Sequence, residues 1–461
     1  MSKISQKYQA PASRLEKRGL TPKGVGPLFS GNPTFRRKVA GELLDLFRQR
    51  GYREIALPAF EYLDALRPGI DPALLEKSYT IQDRTSGHVL ILRPDATAQI
   101  ARLLAHAIDS GFNDLRFSYS TTVFRHEDHH VLERELFQAG VEYWGNGSVW
   151  GDWEIIHLCL QGARKLAIWD PTLVLSHQGL QTTILDLVAE IAPEVSRQEI
   201  SRLFYAHDSG SLHEIIQGGT PNKILSSRKI KCFSETLSFF LRNVVPLPEA
   251  LASLETLSSC LPNGQVDASF LALVKEWTHA PSEIVLDLAL APVGPYYSGM
   301  FFHLYTPGST REIASGGRYD KLPALFGANI PATGFAFHLN RIDDSSNIGK
   351  EVRDQGEIHF LLQPEDAGAY HLIEKLVSSL TPNRQPVRIL YPDSFPGNRE
   401  LHLLDLSYFE KFPNVTEVIW KKGDDFISFL KNGSSHRISQ TDHSPSHEDT
   451  VPQQEHHQNP S

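Results

Sequence analysis

Leu115, Phe117 and Tyr119 alternate with polar residues. A period of two puts one side of the chain on a core and the other on water or polar neighbours, which is the pattern of a half-buried strand. Val89 to Leu92 is a short apolar run and Leu136 to Trp144 is a further strand candidate. Met300 to Tyr305 and Arg311 to Ala314 read as a hairpin around Pro307-Gly308. A short strand from Glu54 to Leu57 ends at Pro58. Strands this close together, with few crossover helices, predict an α+β fold: an antiparallel sheet flanked by helices.

The helices follow the 3.6 period. Asn32 is suited to an N-cap and Pro33 to the first helical position. Val39, Leu43, Leu44 and Phe47 then recur at helical spacing up to a stop at Gly51. Ala98 to Ala107 reads as a second helix, with Asp95 or Thr97 as its cap.

The organisation predicted is an N-terminal arm over 1–30 and a core domain over 31–169 and 280–345. A helical insertion over 170–279 carries helices at Leu180 to Ile191, Ser234 to Val244, Leu251 to Leu261 and Ala268 to Trp277. A small αβ unit spans 356–433, with strands at Ile358 to Leu362, Val387 to Leu390 and Val418 to Trp420 and a helix at His371 to Leu380. The tail, 434–461, is rich in Ser, His, Gln and Pro and reads as disordered.

The balance of the chain narrows its function. It has 461 residues, 41% hydrophobic and 21% charged, with a formal net charge of -9. That is a globular composition with no global field to attract nucleic acid or an anionic membrane. No apolar run approaches the roughly 18 residues of a membrane span. Three cysteines (Cys159, Cys232, Cys260) cannot build a disulfide framework, and none sits in a C-x-x-C pair. A cytoplasmic location is expected. The cluster His126, Glu127, His129, His130 lacks the H-E-x-x-H spacing that puts two ligands on one helical face, so no metal is expected there.

Four separated segments resemble class II aminoacyl-tRNA synthetases, and within them the histidyl-tRNA synthetase family. The first runs from the helix through Gly51-Tyr52 to Pro58 and Glu61, and is similar to motif 1, the dimer interface of that family. The second is Leu92-Arg93-Pro94-Asp95-Ala96-Thr97. The third, Phe124-Arg125-His126-Glu127 followed by Gln138-Ala139-Gly140-Val141-Glu142, is similar to motif 2. The fourth joins Tyr296-Tyr297, Ser315-Gly316-Gly317-Arg318-Tyr319-Asp320 and Gly334 to Arg341, the last similar to motif 3. They stand in the family's order and cover about residues 30–345.

The resemblance implies a pocket for free histidine. Asp95, Thr97 and Gln138 would surround the ammonium, Glu142 and Tyr297 would bracket the imidazole, and Tyr319 would close the site. Asp95 stands where the synthetases usually carry Glu. Each residue also has a plain structural reading. Asp95 serves as a helix cap, Glu142 as an exposed strand charge, Arg125 as an ion-pair partner, Tyr297 and Tyr319 as core phenols, and Gly316-Gly317 as a bend.

The nucleotide half departs from the family. Arg125 and Arg341 match the arginines of motifs 2 and 3 and would be residual anion-binding groups. The arginine that precedes the paired tyrosines in the family is missing from Ala291-Pro292-Val293-Gly294-Pro295. Loss of a cation facing a developing polyanion costs several kcal/mol of transition-state stabilisation. Asp128 stands in the motif 2 loop, Leu136 replaces the adenine-stacking aromatic beside Phe137, His338 replaces a motif 3 glycine, and Asn340 replaces an acid. Residues 356–433 carry 8 Lys/Arg against 11 Asp/Glu, which supplies no obvious basic surface for tRNA.

A synthetase-like chain of this kind resembles the regulatory-subunit family of ATP phosphoribosyltransferase. The resemblance implies a non-catalytic subunit that activates a short-form catalytic partner, senses free histidine in the first step of histidine biosynthesis and dimerises through its motif 1-like region. No cofactor, membrane or tRNA is expected. The alternative is a divergent histidyl-tRNA synthetase.

Overall fold

A computed structural model describes residues 32–105, 114–126, 134–219, 226–261, 266–276, 284–292, 294 and 296–342, together with the C-terminal strand residues 357–361, 387–390, 415–422, 425–430 and 435–438. The expected arm, the motif 2 loop at 127–133, the helix expected at His371 to Leu380 and the tail beyond 438 lie outside them. The chain divides into two compact units, 1–350 and 351–461.

The first unit is built on a nine-stranded mixed sheet. Its strands are β1 (Arg53–Glu54), β5 (Leu115–Phe124), β6 (Glu135–Trp144), β7 (Thr172–His177), β8 (Val245–Pro246), β9 (Ile284–Leu286), β10 (Met300–Tyr305), β11 (Ala314–Arg318) and β12 (Ala332–His338). The spatial order is β1-β5-β6-β12-β11-β10-β7-β9-β8. The run from β5 to β7 is antiparallel throughout, and β1 and β9 join it in parallel. A separate three-stranded sheet, in the order β2 (Phe60–Tyr62), β4 (Val89–Leu92), β3 (Thr80–Gln82), is also antiparallel.

The alternation along β6 divides the core between the sheet's two faces. Ala139, Val141 and Tyr143 belong to a helix-side cluster with Phe35, Val39, Leu43 and Phe47 of helix α1 (Asn32–Gln49). Burial of each such large side chain is worth about 1.5–3 kcal/mol, enough to hold the amphipathic helix on the sheet. Trp144 belongs instead to the opposite face, with Tyr119, Phe301, Tyr319 and Ile100 of helix α2 (Ala96–Ala105). Helix α3 (Val149–Lys165), absent from the sequence reading, packs Ile155, Ile156 and Cys159 into the first cluster.

Two elements move the expected boundaries. The insertion was expected to begin at 170, yet β7 pairs with both β10 and β9 inside the main sheet. A six-residue strand between helices carries too short a pattern to stand out from a helical run. The helices that follow are α4 (Gln178–Ile191), α5 (Arg197–Tyr205), α6 (Ser209–Gly218), α7 (Ser227–Arg242), α8 (Leu247–Cys260) and α9 (Ala268–Glu276). The second of the hairpin strands begins at Ala314 rather than Arg311 and runs through Ser315-Gly316-Gly317. A Cβ on Gly316 would lie 2.5 Å from Gly334 O, so the missing side chain permits the close β11–β12 ladder.

Cys232 and Cys260 are bonded across the contact of α7 with α8, with Cα atoms 6.3 Å apart, while Cys159 is free and buried. One bridge is a local tie, not a framework. Its pairing comes from helix packing and leaves no mark in the spacing.

The second unit carries a five-stranded sheet in the order β14 (Val387–Leu390), β13 (Glu357–Leu361), β15 (Val415–Lys422), β16 (Asp425–Leu430), β17 (Ser435–Ile438). The last strand corrects the expected edge at 433, because Ser435 to Ile438 pairs antiparallel with β16. Backbone ladder bonds ordered a segment that composition assigned to the tail.

Candidate functional site

Glu142 stands on β6, on the face that also carries Gln138 and Gly140. Glu142 is buried, which excludes the exposed-charge reading. Its Oε1 accepts a 2.8 Å hydrogen bond from Thr97 Oγ1, at the start of α2. Among the described residues its Oε2 is buried with no partner. Burial pushes the Glu142 carboxyl well above the usual carboxylate range, against the opposing pull of the Thr97 bond. An unpaired buried carboxylate oxygen is costly, so it marks a place built for a donor.

Phenols stand near this carboxyl. Tyr319 OH is buried and also lacks a partner among the described residues. The Tyr296 ring stands edge-on to Tyr319 at 5.8 Å and tilted against Tyr297 at 5.1 Å, and Tyr297 stacks on Phe301 at 5.6 Å. Desolvation raises the Tyr296 and Tyr297 phenols, so both stay neutral donors. The absence of a side chain at Gly334 keeps room: a Cβ there would sit 2.5 Å from Glu142 Oε2 and 2.9 Å from Tyr319 OH.

Asp95 is tied more tightly than the ligand reading implies. Its Oδ1 accepts the Ala98 amide at 2.9 Å, capping α2. Its Oδ2 pairs with Arg125 Nη2 at 3.2 Å, and Arg125 Nε donates to Pro94 O at 2.7 Å. Gln138 Nε2 lies 3.4 Å from His338 Nδ1. Thr97, Glu142, Tyr297 and Tyr319 thus lie near one another on one face of the sheet, with Tyr296 and Tyr119 beside them, two residues that the sequence reading did not place there. The repeated aromatic signal at Tyr296-Tyr297 was available, but the inward direction of both rings was not.

The other end is filled from within. His338 Nε2 meets Ser315 Oγ at 3.1 Å. Burial and nearby arginines hold the His338 imidazole far below its ordinary value, so it is neutral. Arg341 forms an ion pair with Glu312 and also donates to Glu312 O at 3.0 Å. Asn340 Oδ1 accepts the Phe137 amide at 2.6 Å, locking the β6 and β12 ends together. Arg93 is a structural residue: its buried guanidinium donates to Thr122 O, Leu57 O and Pro58 O at 2.7–2.9 Å. Among the described residues no group of three or more His, Cys, Asp or Glu could hold a metal ion. No helix of the described residues is long and apolar enough to cross a membrane.

A largely antiparallel sheet that carries a buried polar cluster on one face and its long motif 1-like helix on the other defines a histidyl-tRNA synthetase-like protein of the class II type. The family model described as histidyl-tRNA synthetase matches residues 32–342. The chain belongs to the family of ATP phosphoribosyltransferase regulatory subunits: it is 32% identical over 339 residues to the one from Moorella thermoacetica, across 70% of this chain and 80% of that one. The regulatory subunit from Alkaliphilus metalliredigens is 26% identical over 363 residues, 78% of this chain and 89% of the relative. The solved structure of an ATP phosphoribosyltransferase regulatory subunit/histidyl-tRNA synthetase from Bacillus halodurans has the same fold, with a TM-score of 0.65 at 21% identity, over 87% of this chain and 97% of that one. Histidyl-tRNA synthetase from Nostoc superposes with a TM-score of 0.64 at 17% identity, over 91% of this chain and 96% of that one.

Proposed function

We propose that this chain is the non-catalytic regulatory subunit of an ATP phosphoribosyltransferase, activating a short-form catalytic subunit and binding free histidine as the end-product signal. The observation that carries the reading is the division of the site. Among the described residues Glu142 Oε2 and Tyr319 OH are buried and unpaired at the amino-acid end, while both residual arginines are already engaged by Asp95 and Glu312.

The chemistry follows from those partners. A histidine imidazole offers an N–H to a carboxylate and accepts from a phenol. Charged hydrogen bonds contribute about 1.5–3 kcal/mol each, so a few of them support micromolar affinity. Asp95, Thr97 and Gln138 face the ammonium, Glu142 and Tyr297 bracket the imidazole, and Tyr319 closes the site. Phosphate binding is disfavoured because Arg341 must first leave Glu312 and His338 occupies the space of the absent glycine. Histidine regulates only by binding two states of the complex with different affinity. Self-association through α1 and the strand that follows, and a cytoplasmic location, belong to the same reading.

The test is co-purification with a short-form phosphoribosyltransferase, then assay of that enzyme with and without this chain. Activation that free histidine reverses supports the reading. Charging of tRNA with histidine by the purified chain would overturn it in favour of the synthetase.

A further inference from the structure

Arg318 is the last residue of β11, and Tyr319 follows it directly. Their side chains part company there. Tyr319 joins the core cluster of Trp144, Tyr119 and Phe301, on the face of the proposed pocket. The Arg318 guanidinium reaches Asp152 in the first turn of α3, the helix whose apolar side packs on the other face.

Both Arg318 and Asp152 are buried. Arg318 Nε donates to Asp152 Oδ1 at 2.8 Å and to Oδ2 at 3.1 Å, and Nη2 lies 2.7 Å from Oδ1. Nη1 donates to Asp320 Oδ1 at 3.2 Å. The guanidinium also donates to Asn146 O at 3.1 Å and to Ser148 O at 3.4 Å. Backbone bonds join this cluster to the phenols. Asp320 Oδ1 accepts the Ala332 amide at 2.9 Å, and the Tyr319 amide donates to Ala332 O at 2.8 Å. Ser298 Oγ accepts the Asp320 amide at 2.9 Å, and the Ser298 amide donates to Arg318 O at 2.8 Å. Ser298 directly follows Tyr296-Tyr297, and Tyr319 stands between Arg318 and Asp320.

We propose that Asp152, Arg318, Asp320 and Ser298 form a positioning clamp that sets Tyr319 and the Tyr296-Tyr297 segment for the ligand of the pocket. A buried ion pair adds little stability over apolar side chains of the same volume. A guanidinium with its donors engaged on several sides adds direction instead, because each bond fixes the chain that carries its acceptor. A binding group left loose by about 1 Å loses its function, so the phenols need such support. The ligand's identity rests on the histidine reading; the clamp itself does not.

Two measurements on the full chain test it. Fluorine NMR of the chain labelled with 3-fluorotyrosine reads the phenols without any ligand, and the resonance lost in Tyr319→Phe is that of Tyr319. Calorimetry with free histidine reads the pocket. Asp152→Asn keeps an oxygen for Arg318 but removes the charge. Ser298→Ala, at a half-buried position, removes only the link to the Asp320 amide. Each is expected to shift or broaden the Tyr319 resonance and to weaken histidine binding about fivefold, the scale of one lost hydrogen bond. Asp186→Asn, which breaks the exposed pair of α4 with Arg197, is the control and is expected to change neither. A Tyr319 resonance unmoved in both clamp variants would overturn the proposal even where melting falls, since lost stability alone does not alter the surroundings of one phenol. Histidine binding unchanged in chains whose Tyr319 resonance has moved would overturn it as well. Failure of the unaltered chain to bind histidine would overturn the histidine reading alone, because the resonances still decide the clamp.

Discussion

Glu142 stands directly opposite Gly334 in the β6–β12 ladder, and a methyl group at position 334 would lie 2.5 Å from the Glu142 carboxylate. One missing side chain thereby leaves the buried carboxylate oxygen uncrowded on that side. Gly334→Ala is expected to cut histidine affinity at least tenfold and to lower the melting temperature, because the added carbon would also sit 2.4 Å from Val141 O. Calorimetry and thermal unfolding measured on the same sample check both halves. Unaltered histidine binding in a folded Gly334→Ala chain would remove Gly334 from the pocket.

Replacing the carboxylate itself is the more direct probe. Glu142→Ala is expected to weaken histidine inhibition of the assembled phosphoribosyltransferase at least tenfold, close to the loss of one charged hydrogen bond. Titration of the activated complex with histidine reads the shift, and an unchanged inhibition curve refutes the pocket assignment.

Binding should also move a proton. Burial raises the Glu142 carboxyl well above its ordinary range, so the empty pocket retains a proton at pH values where a free carboxylate has lost it. A ligand N–H favours the ionised form and returns the carboxyl toward its ordinary value. Histidine binding is therefore expected to release a fraction of a proton and to strengthen as pH rises toward the raised value. Calorimetry in buffers of different ionisation enthalpy measures that fraction, and net proton uptake would contradict the role given to Glu142.

Opening the nucleotide end should not restore chemistry. His338→Gly removes the imidazole beside Ser315 and Gln138 but leaves Arg341 paired with Glu312 and supplies no arginine ahead of Tyr296. Histidine-dependent exchange of pyrophosphate into ATP is expected to stay at background. Exchange above background would show that one side chain had closed the site.

A last expectation concerns acid stability. His177 caps α4 by accepting the Leu180 amide at 3.1 Å, and burial lowers its pKa from 6.5 to about 4. The unfolded chain takes up that proton below pH 6.5 while the native chain resists until about pH 4. The stabilisation is thus full above pH 6.5 and is lost as pH falls through the native value, a difference of about 3 kcal/mol for a shift this size. His177→Asn keeps an acceptor for the cap and is expected to flatten the denaturant midpoint between pH 6.5 and 4. An unflattened profile would assign the acid sensitivity elsewhere.

The parts of this protein legible in its sequence were those carried by local pattern. The 3.6 period of Val39, Leu43 and Phe47 marks α1, and the alternation through Tyr119 marks β5, because side-chain direction repeats with backbone geometry. The order of the motif-like segments was likewise visible, since it needs no contact to be read. Packing decided what remained. It drew β7 into the main sheet, bonded Cys232 to Cys260 and turned Tyr296 inward. It also set Asp95 on Arg125 and Glu312 on Arg341, two pairings between residues 30 and 29 positions apart. Whether a carboxylate or a guanidinium is free for a ligand depends on which neighbours reach it in space, and residue order alone does not contain that distance.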